Sequence, residues 1–307
     1  MPLHRLNSLV IGVPDVAATT AYYSDFGLTQ DTEGWFATRD GGRQLKIVPA
    51  PTRRLIEVSI GVDDSDDLDR IARSLTRLDL PAHREGDTLT AEEPIAGFRA
   101  VIRVADRIAQ APEPPTPYNG PGRVERGPGR APGLLRQHQV RPRKLGHVVG
   151  GATHHQTTKR LFNERNGVPT SDEKKGPGAV MGSDTHQHND LVLDAPVNFL
   201  HHTSWQVEDI DEVGRGAFAM LAEHPERHVW GLGRHHAGSN FFWYLKDPAG
   251  NFSEYYSDMD TILDDQLWTP EDLEGAKGLF NWGPPPPPSF LRPDDLAELM
   301  TGAHHSP

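Results

Sequence analysis

HTSWQVED, residues 202–209, repeats the pattern of EVSIGVDD, residues 57–64. Each run alternates branched or aromatic residues with small or polar ones and ends in two acids, which is strand spacing followed by residues suited to the first turn of a helix. The next residues in each half agree: DSDDLDRIARSLTRL (64–78) and DIDEVGRGAFAMLAEH (209–224) both read as helices with their acids first. Two strand–helix units of one kind therefore lie 145 residues apart (202 − 57). Working outward, LNSLVIGV (6–13) matches LGHVVGGA (145–152) as the opening strand of each half. In the first half, Pro14-Asp15 opens a helix with Val16, Thr19, Thr20, Tyr23 and Phe26 at helical spacing and Gly27 behind it. Strands are expected near 34–38, 43–49, 86–90 and 98–104. The second half reads as a helix over 153–166, strands near 178–183 and 189–194, and a strand pair around the Asp247-Pro248 turn.

The fold class these repeats predict is α+β: two tandem modules, each of paired βαβββ units whose sheet curves into a half-closed cup. The expected boundaries are a first module at 1–110, a Pro/Gly-rich linker arm at 111–143, a second module at 144–260 and a tail at 261–307. Pro284 to Pro288 form a polyproline run, read as an extended spacer strapping the tail onto the body. The linker and tail are also read as assembly devices, so a homo-oligomer is expected.

Composition excludes several classes. The formal net charge of −12 argues against a nucleic-acid partner, and the densest basic stretch, Arg136 to Lys144, reads as a solvated linker. With no cysteine among 307 residues there is no disulfide, thiolate nucleophile or thiolate zinc site. No apolar run approaches the ~20 residues a membrane helix needs, and the N-terminus lacks a signal-peptide core; a soluble cytoplasmic protein is expected, with no membrane partner.

The chemistry concentrates in GRHHAGSNFFWYLKDPAGNFSEYY, residues 233–256: a strand over 240–246, a tight turn, and a second strand carrying Glu254. A carboxylate among Phe252, Tyr255 and Tyr256 needs a partner if it is buried; the bland reading is a hairpin whose Glu faces solvent. Two histidines at strand positions, His147 and His202, lie 55 residues apart (202 − 147), and Glu254 follows 52 residues later (254 − 202). Two imidazoles and one carboxylate with open positions is the donor set of non-haem Fe(II). The first half places Ser8, Glu57 and Ala100 against His147, His202 and Glu254, so it lacks that set. A lone strand histidine is ordinarily a satisfied core or surface residue; three matched positions favour the metal.

The segment GRHHAGSNFFWYLKDPAGNFSE resembles the signature of the type I extradiol ring-cleavage dioxygenases of the vicinal oxygen chelate superfamily, and the resemblance covers residues 4–258. It implies two tandem vicinal oxygen chelate modules, the first non-catalytic and the second holding Fe(II), or Mn(II), through His147, His202 and Glu254. It further implies O2 as co-substrate and a small catecholic aromatic substrate. His202 is preferred over His201, which strand alternation would point away. His188 matches the family's acid/base histidine, with His186 the competing choice, and Tyr244 matches a tyrosine that hydrogen-bonds substrate or bound oxygen. Trp243 stands where the signature has an aliphatic residue or Phe, narrowing the pocket; Ser239 stands where many members have a histidine, and His235 or His236 is expected to replace it in substrate binding. The alternatives within the superfamily are a non-catalytic antibiotic-binding module and a glyoxalase-type isomerase or lyase, which takes its ligands from both modules.

Overall fold

The computed structural model describes residues 3–77, 79–112, 124, 127–154, 170–174, 180–183, 188–261, 272–273 and 279–302. The helix expected over 153–166 falls, from residue 155 onward, outside the described residues, as does His186.

In the first half, β1 (Leu3–Val13), α1 (Val16–Asp25), β2 (Thr29–Gln30), β3 (Trp35–Thr38), β4 (Gly42–Pro49), β5 (Arg54–Val62), α2 (Ser65–Arg77), β6 (Ala82–Glu85), β7 (Thr88–Glu92) and β8 (Arg99–Val104) come in order. Their sheet runs β2-β3-β4-β1-β5-β8-β7-β6. The second half supplies β9 (Lys144–Ala152), β10 (Thr170–Lys174), β11 (Val180–Ser183), β12 (His188–Asp194), β13 (Phe199–Gln206), α3 (Ile210–Leu221), β14 (His228–Arg234), β15 (Phe241–Lys246) and β16 (Phe252–Ser257). Its sheet runs β10-β11-β12-β9-β13-β16-β15-β14, with β17 (Asp272–Leu273) added beside β10. The two orders are the same, strand for strand. The pairing senses repeat too: β1 and β9 each run antiparallel to β5 and β13 and parallel to β4 and β12. The similarity between residues 57–64 and 202–209 thus extends to the whole topology, and the fold is that of two vicinal oxygen chelate modules.

Some expectations change. The strand expected at 86–90 is a hairpin, β6 and β7 joined at Gly86, whose φ of +54° few residues with a side chain adopt. β14, an edge strand, and β10, inside a polar stretch, carried no alternation strong enough to announce them. The basic stretch 136–144 is not a solvated linker. Arg143 is buried, its Nε 2.6 Å from Asp40 Oδ2 and its Nη1 3.0 Å from Glu208 Oε2, while Arg136 pairs with Asp209 at 2.5 Å. These guanidiniums tie the arm to both halves.

One core serves both modules. The ring of Phe26, just after α1, stacks on Tyr255 of β16 with centroids 3.9 Å apart, and the Tyr255 hydroxyl donates to the Phe26 carbonyl at 2.7 Å. Tyr22 and Ser253 bring their hydroxyls within 2.5 Å. Alternation along β16 decides what this leaves free: Ser253 and Tyr255 face the first module, so Phe252, Glu254 and Tyr256 face the other way.

Candidate metal centre

Glu254 sits in a row that crosses the second sheet. His147 on β9 pairs with Ser204 on β13, Ser204 with Glu254 on β16, and Glu254 with Tyr244 on β15. Residues level with one another on neighbouring strands share a face, and His202, two residues before Ser204, shares it as well. The small Ser204 side chain at the middle of the row leaves room between the larger ones. His147 Nε2 lies 3.2 Å from His202 Nε2 and 3.1 Å from Glu254 Oε2, and His202 Nε2 lies 3.8 Å from that oxygen. Three donor atoms from three strands, 107 residues apart at the extremes (254 − 147), therefore converge on one point.

The same row in the first sheet reads Ser8, Ser59, Val101 and Thr90. Val101, not Ala100, occupies the position of Glu254, because the parallel register pairs Ser59 with Val101 as it pairs Ser204 with Glu254. The conclusion drawn from the first half is unchanged: that row holds no cluster of ligands.

A metal fits the donor set on local grounds. Glu254 is fully buried, and its Oε2 has no hydrogen-bond partner although it faces two imidazole nitrogens. Its other oxygen accepts from Asn240 Nδ2 at 3.1 Å. Burial works to raise the Glu254 carboxyl, but the His147 and His235 imidazoles beside it prevail and hold it below the usual range, as the anion. Burial pushes His202 well below an ordinary histidine, so its ring is neutral at neutral pH and has a lone pair to give. A cation among two imidazoles and a carboxylate would satisfy Glu254 Oε2.

No protein-family model matches the chain. Metapyrocatechase 2 of Cupriavidus necator is 29% identical over 315 aligned residues, covering 94% of this chain and 92% of that protein. Among solved structures, an extradiol ring-cleaving dioxygenase from B. fuscum superposes with a TM-score of 0.73 at 17% identity, covering 94% of this chain and 81% of that one. A Mn(II)-bound glyoxalase from Novosphingobium aromaticivorans superposes with a TM-score of 0.72 at 21% identity, covering 94% of each chain. Nearly the whole chain is thus similar in sequence to metapyrocatechase 2. Its two sheets are the vicinal oxygen chelate fold that those structures share.

The other residues expected from the extradiol signature separate. The Tyr244 hydroxyl lies 2.9 Å from His235 Nε2, its ring edge against His202 with centroids 5.1 Å apart. Burial, and then the Glu254 charge, hold that hydroxyl protonated far above neutral pH. His235 stacks on Phe242, its Nδ1 against the Leu279 carbonyl and its Nε2 3.8 Å from Glu254 Oε1. It belongs to the site. His236 is half-buried in the following turn, where its carbonyl accepts from the Ser239 N–H at 3.4 Å. Trp243 does not narrow the pocket: it pairs with Tyr255 on the opposite face, packs against the shared core and donates from Nε1 to His228 Nδ1 at 3.1 Å. Strand alternation decides this, because Tyr244 next to it faces Glu254. The backbone of His188 opens β12, and the register Leu191↔Val149 lays that strand beside the His147 stretch of β9.

His201 does not point away. It too lies on the side of Phe290, with ring centroids 4.9 Å apart. Sequence reasoning missed this, along with Asn240, Trp230 and Phe290. Asn240 had a signal, a polar residue directly before the apolar run FFWYL. Phe290 had none, since it arrives from the tail.

Proposed function

We propose that this chain is an extradiol dioxygenase that opens a catecholic aromatic ring with O2, breaking the ring carbon–carbon bond beside the hydroxyl pair and leaving one oxygen atom on each of the two carbons it separates. The observation that carries the reading is the His147, His202 and Glu254 cluster on one face of the second sheet, in a relative of metapyrocatechase along almost its whole length. We assign these three as ligands of Fe(II), with Mn(II) as the second fit, because two imidazoles and a carboxylate suit both ions. Bound there, the ion would draw in the two catechol oxygens and lower their pKa.

The chain's own residues do the remaining work. Glu254 brings one fixed negative charge and is kept anionic by its neighbours. Asn240 holds its second oxygen, so the carboxylate cannot rotate. Tyr244 retains its proton and donates it in a hydrogen bond to His235 Nε2, whose other nitrogen faces the Leu279 carbonyl, so the Tyr244 hydroxyl oxygen is held with its lone pairs free to accept a hydrogen bond from substrate. Trp230, Phe242, Phe252 and Phe290 form an apolar cluster with Tyr244 that excludes water on that side. We assign His188 as the group that takes the catechol proton and returns it to the opened product; an ordinary imidazole is suited to both directions near neutral pH. The glyoxalase-type reading would draw ligands from both modules, and the first sheet's row offers Ser8, Ser59, Val101 and Thr90.

Anaerobic purification, metal analysis and an absorbance scan with catechol, 3-methylcatechol and 2,3-dihydroxybiphenyl in air test the reading. About one Fe or Mn per chain and a yellow ring-opened product from any of the three are expected. His147→Ala should lose metal and activity together; metal retained at the wild-type level would remove the ligand assignment, and no metal in the wild-type chain would remove the dioxygenase reading.

A further inference from the structure

β13 carries a bulge at His201. Leu200 pairs with Gly150 and His202 with Val149, so two steps along β13 match one along β9. A bulge re-aims the residue it inserts, and this one sets the His201 ring against its neighbour, Nδ1 to Nδ1 at 2.7 Å. On its far side, His201 Nε2 meets the backbone carbonyl of Phe290, in the short helix Pro288–Leu291 of the tail.

A carbonyl oxygen only accepts, so His201 Nε2 carries a proton. The ring is 1% exposed and lies edge-on against Phe252 and Phe290, where burial favours the neutral form. A neutral imidazole has one N–H, so His201 Nδ1 presents its lone pair to His202. The His202 Nδ1 must then be the donor, which leaves His202 Nε2 without a proton, facing His147 Nε2 and Glu254 Oε2.

We propose that the Phe290 carbonyl and His201 form a relay that fixes His202 in the tautomer protonated on Nδ1, making His201 a positioning residue for the metal centre. The tail then acts on the centre through a proton it holds in place three groups away. The purpose of the relay rests on the ligand assignment; the tautomer does not.

Long-range proton–nitrogen NMR of the metal-free, full-length chain with labelled histidine reads the tautomers directly, with His201→Asn and His202→Asn used to assign the signals. His202 should be protonated on Nδ1 and His201 on Nε2; the opposite state on either ring overturns the proposal. Mn(II) titration of the full chain supplies the second measurement. His201→Phe, which has no acceptor, should weaken Mn(II) binding about 10- to 100-fold, the range for losing a group that orients a ligand. His201→Asn, whose amide oxygen can take the place of Nδ1, should retain most of the affinity. Equal weakening in both variants, or none in His201→Phe, also overturns the relay. Absence of Mn(II) and Fe(II) binding in the wild-type chain would instead remove the ligand assignment, and the NMR result would still decide the tautomer.

Discussion

Glu254 is a carboxylate with one oxygen held by Asn240 and the other facing two imidazoles. Placing it in an apolar strand is costly for an isolated protein, and the imidazoles bear some of that cost. Burial pushes His201 down from 6.5 to about 4, and His202 and His235 are lowered as well, each chiefly by burial. The sign comes from proton counting: between those pH values the unfolded chain binds a proton at residue 201 and the folded chain does not. Stability is therefore complete above about pH 6.5 and is lost as pH falls toward about 4, by about 3 kcal/mol from His201. Burial raises the Asp247 carboxyl to about 6, which acts in the opposite sense over the same range. Chemical denaturation of the metal-free wild type and of His201→Phe at pH 7.5 and pH 4.5 therefore isolates the ring: the wild type should lose more stability than the variant on acidification, and equal losses would contradict the neutral, buried state of that ring. At the same scale, His188→Ala should bind metal as tightly as the wild type yet turn over substrate about 100-fold more slowly, the usual size of a lost acid/base group. Metal analysis with steady-state rates separates the two effects.

At the scale of the element, the strand rows do the positioning, and they tolerate little. Gly146, beside His147 on β9, has the Tyr256 ring against it: a Cβ there would stand 2.2 Å from the Tyr256 hydroxyl oxygen, with the ring fully buried behind it. Gly146→Ala should destabilise the fold by about 2 kcal/mol through overpacking, seen as a lower denaturation midpoint with an unchanged slope. Legibility in the sequence divides along the same lines. The repeat, the sheet strands with strong alternation and the three donors are readable, because period-two spacing writes itself into residue types. Trp243 misleads because its neighbour Tyr244 defines the face, and the signature alone does not say which of two adjacent aromatics looks inward. His201 misleads because a bulge breaks the alternation on which its expected orientation rests, and a bulge formed by an ordinary residue leaves no mark in residue type. The position of Val101 in place of Ala100 is set by the parallel register of β5 and β8, which appears only when the strands pair.

Across the whole molecule, Arg53 joins three regions of the chain. It is fully buried in the connection from β4 to β5, and its Nε and Nη2 donate to the two Asp295 oxygens at 2.6 and 2.8 Å. Its Nη1 lies 3.3 Å from Asn251 Oδ1 and also donates to the Leu200 carbonyl, next to His201. The first module thereby clamps the tail segment that lies over the metal centre. Arg53→Ala leaves Asp295 without this pair and should cost about 3 kcal/mol, the lower end for breaking a buried pair, since Asp295 keeps some water. Limited proteolysis should then cut within 279–302 well before the rest of the chain; unchanged protection would show that the aromatic packing of Phe290 holds the tail unaided.

The stacked pair of Phe26 and Tyr255 bears on motion. A hinge between the modules would have to separate rings that lie 3.9 Å apart and bring Tyr255, now 1% exposed, into water, on the strand that also carries Glu254. The shared core therefore ties the two halves into one body, and Glu254 opens toward the face of the second module that the first leaves uncovered.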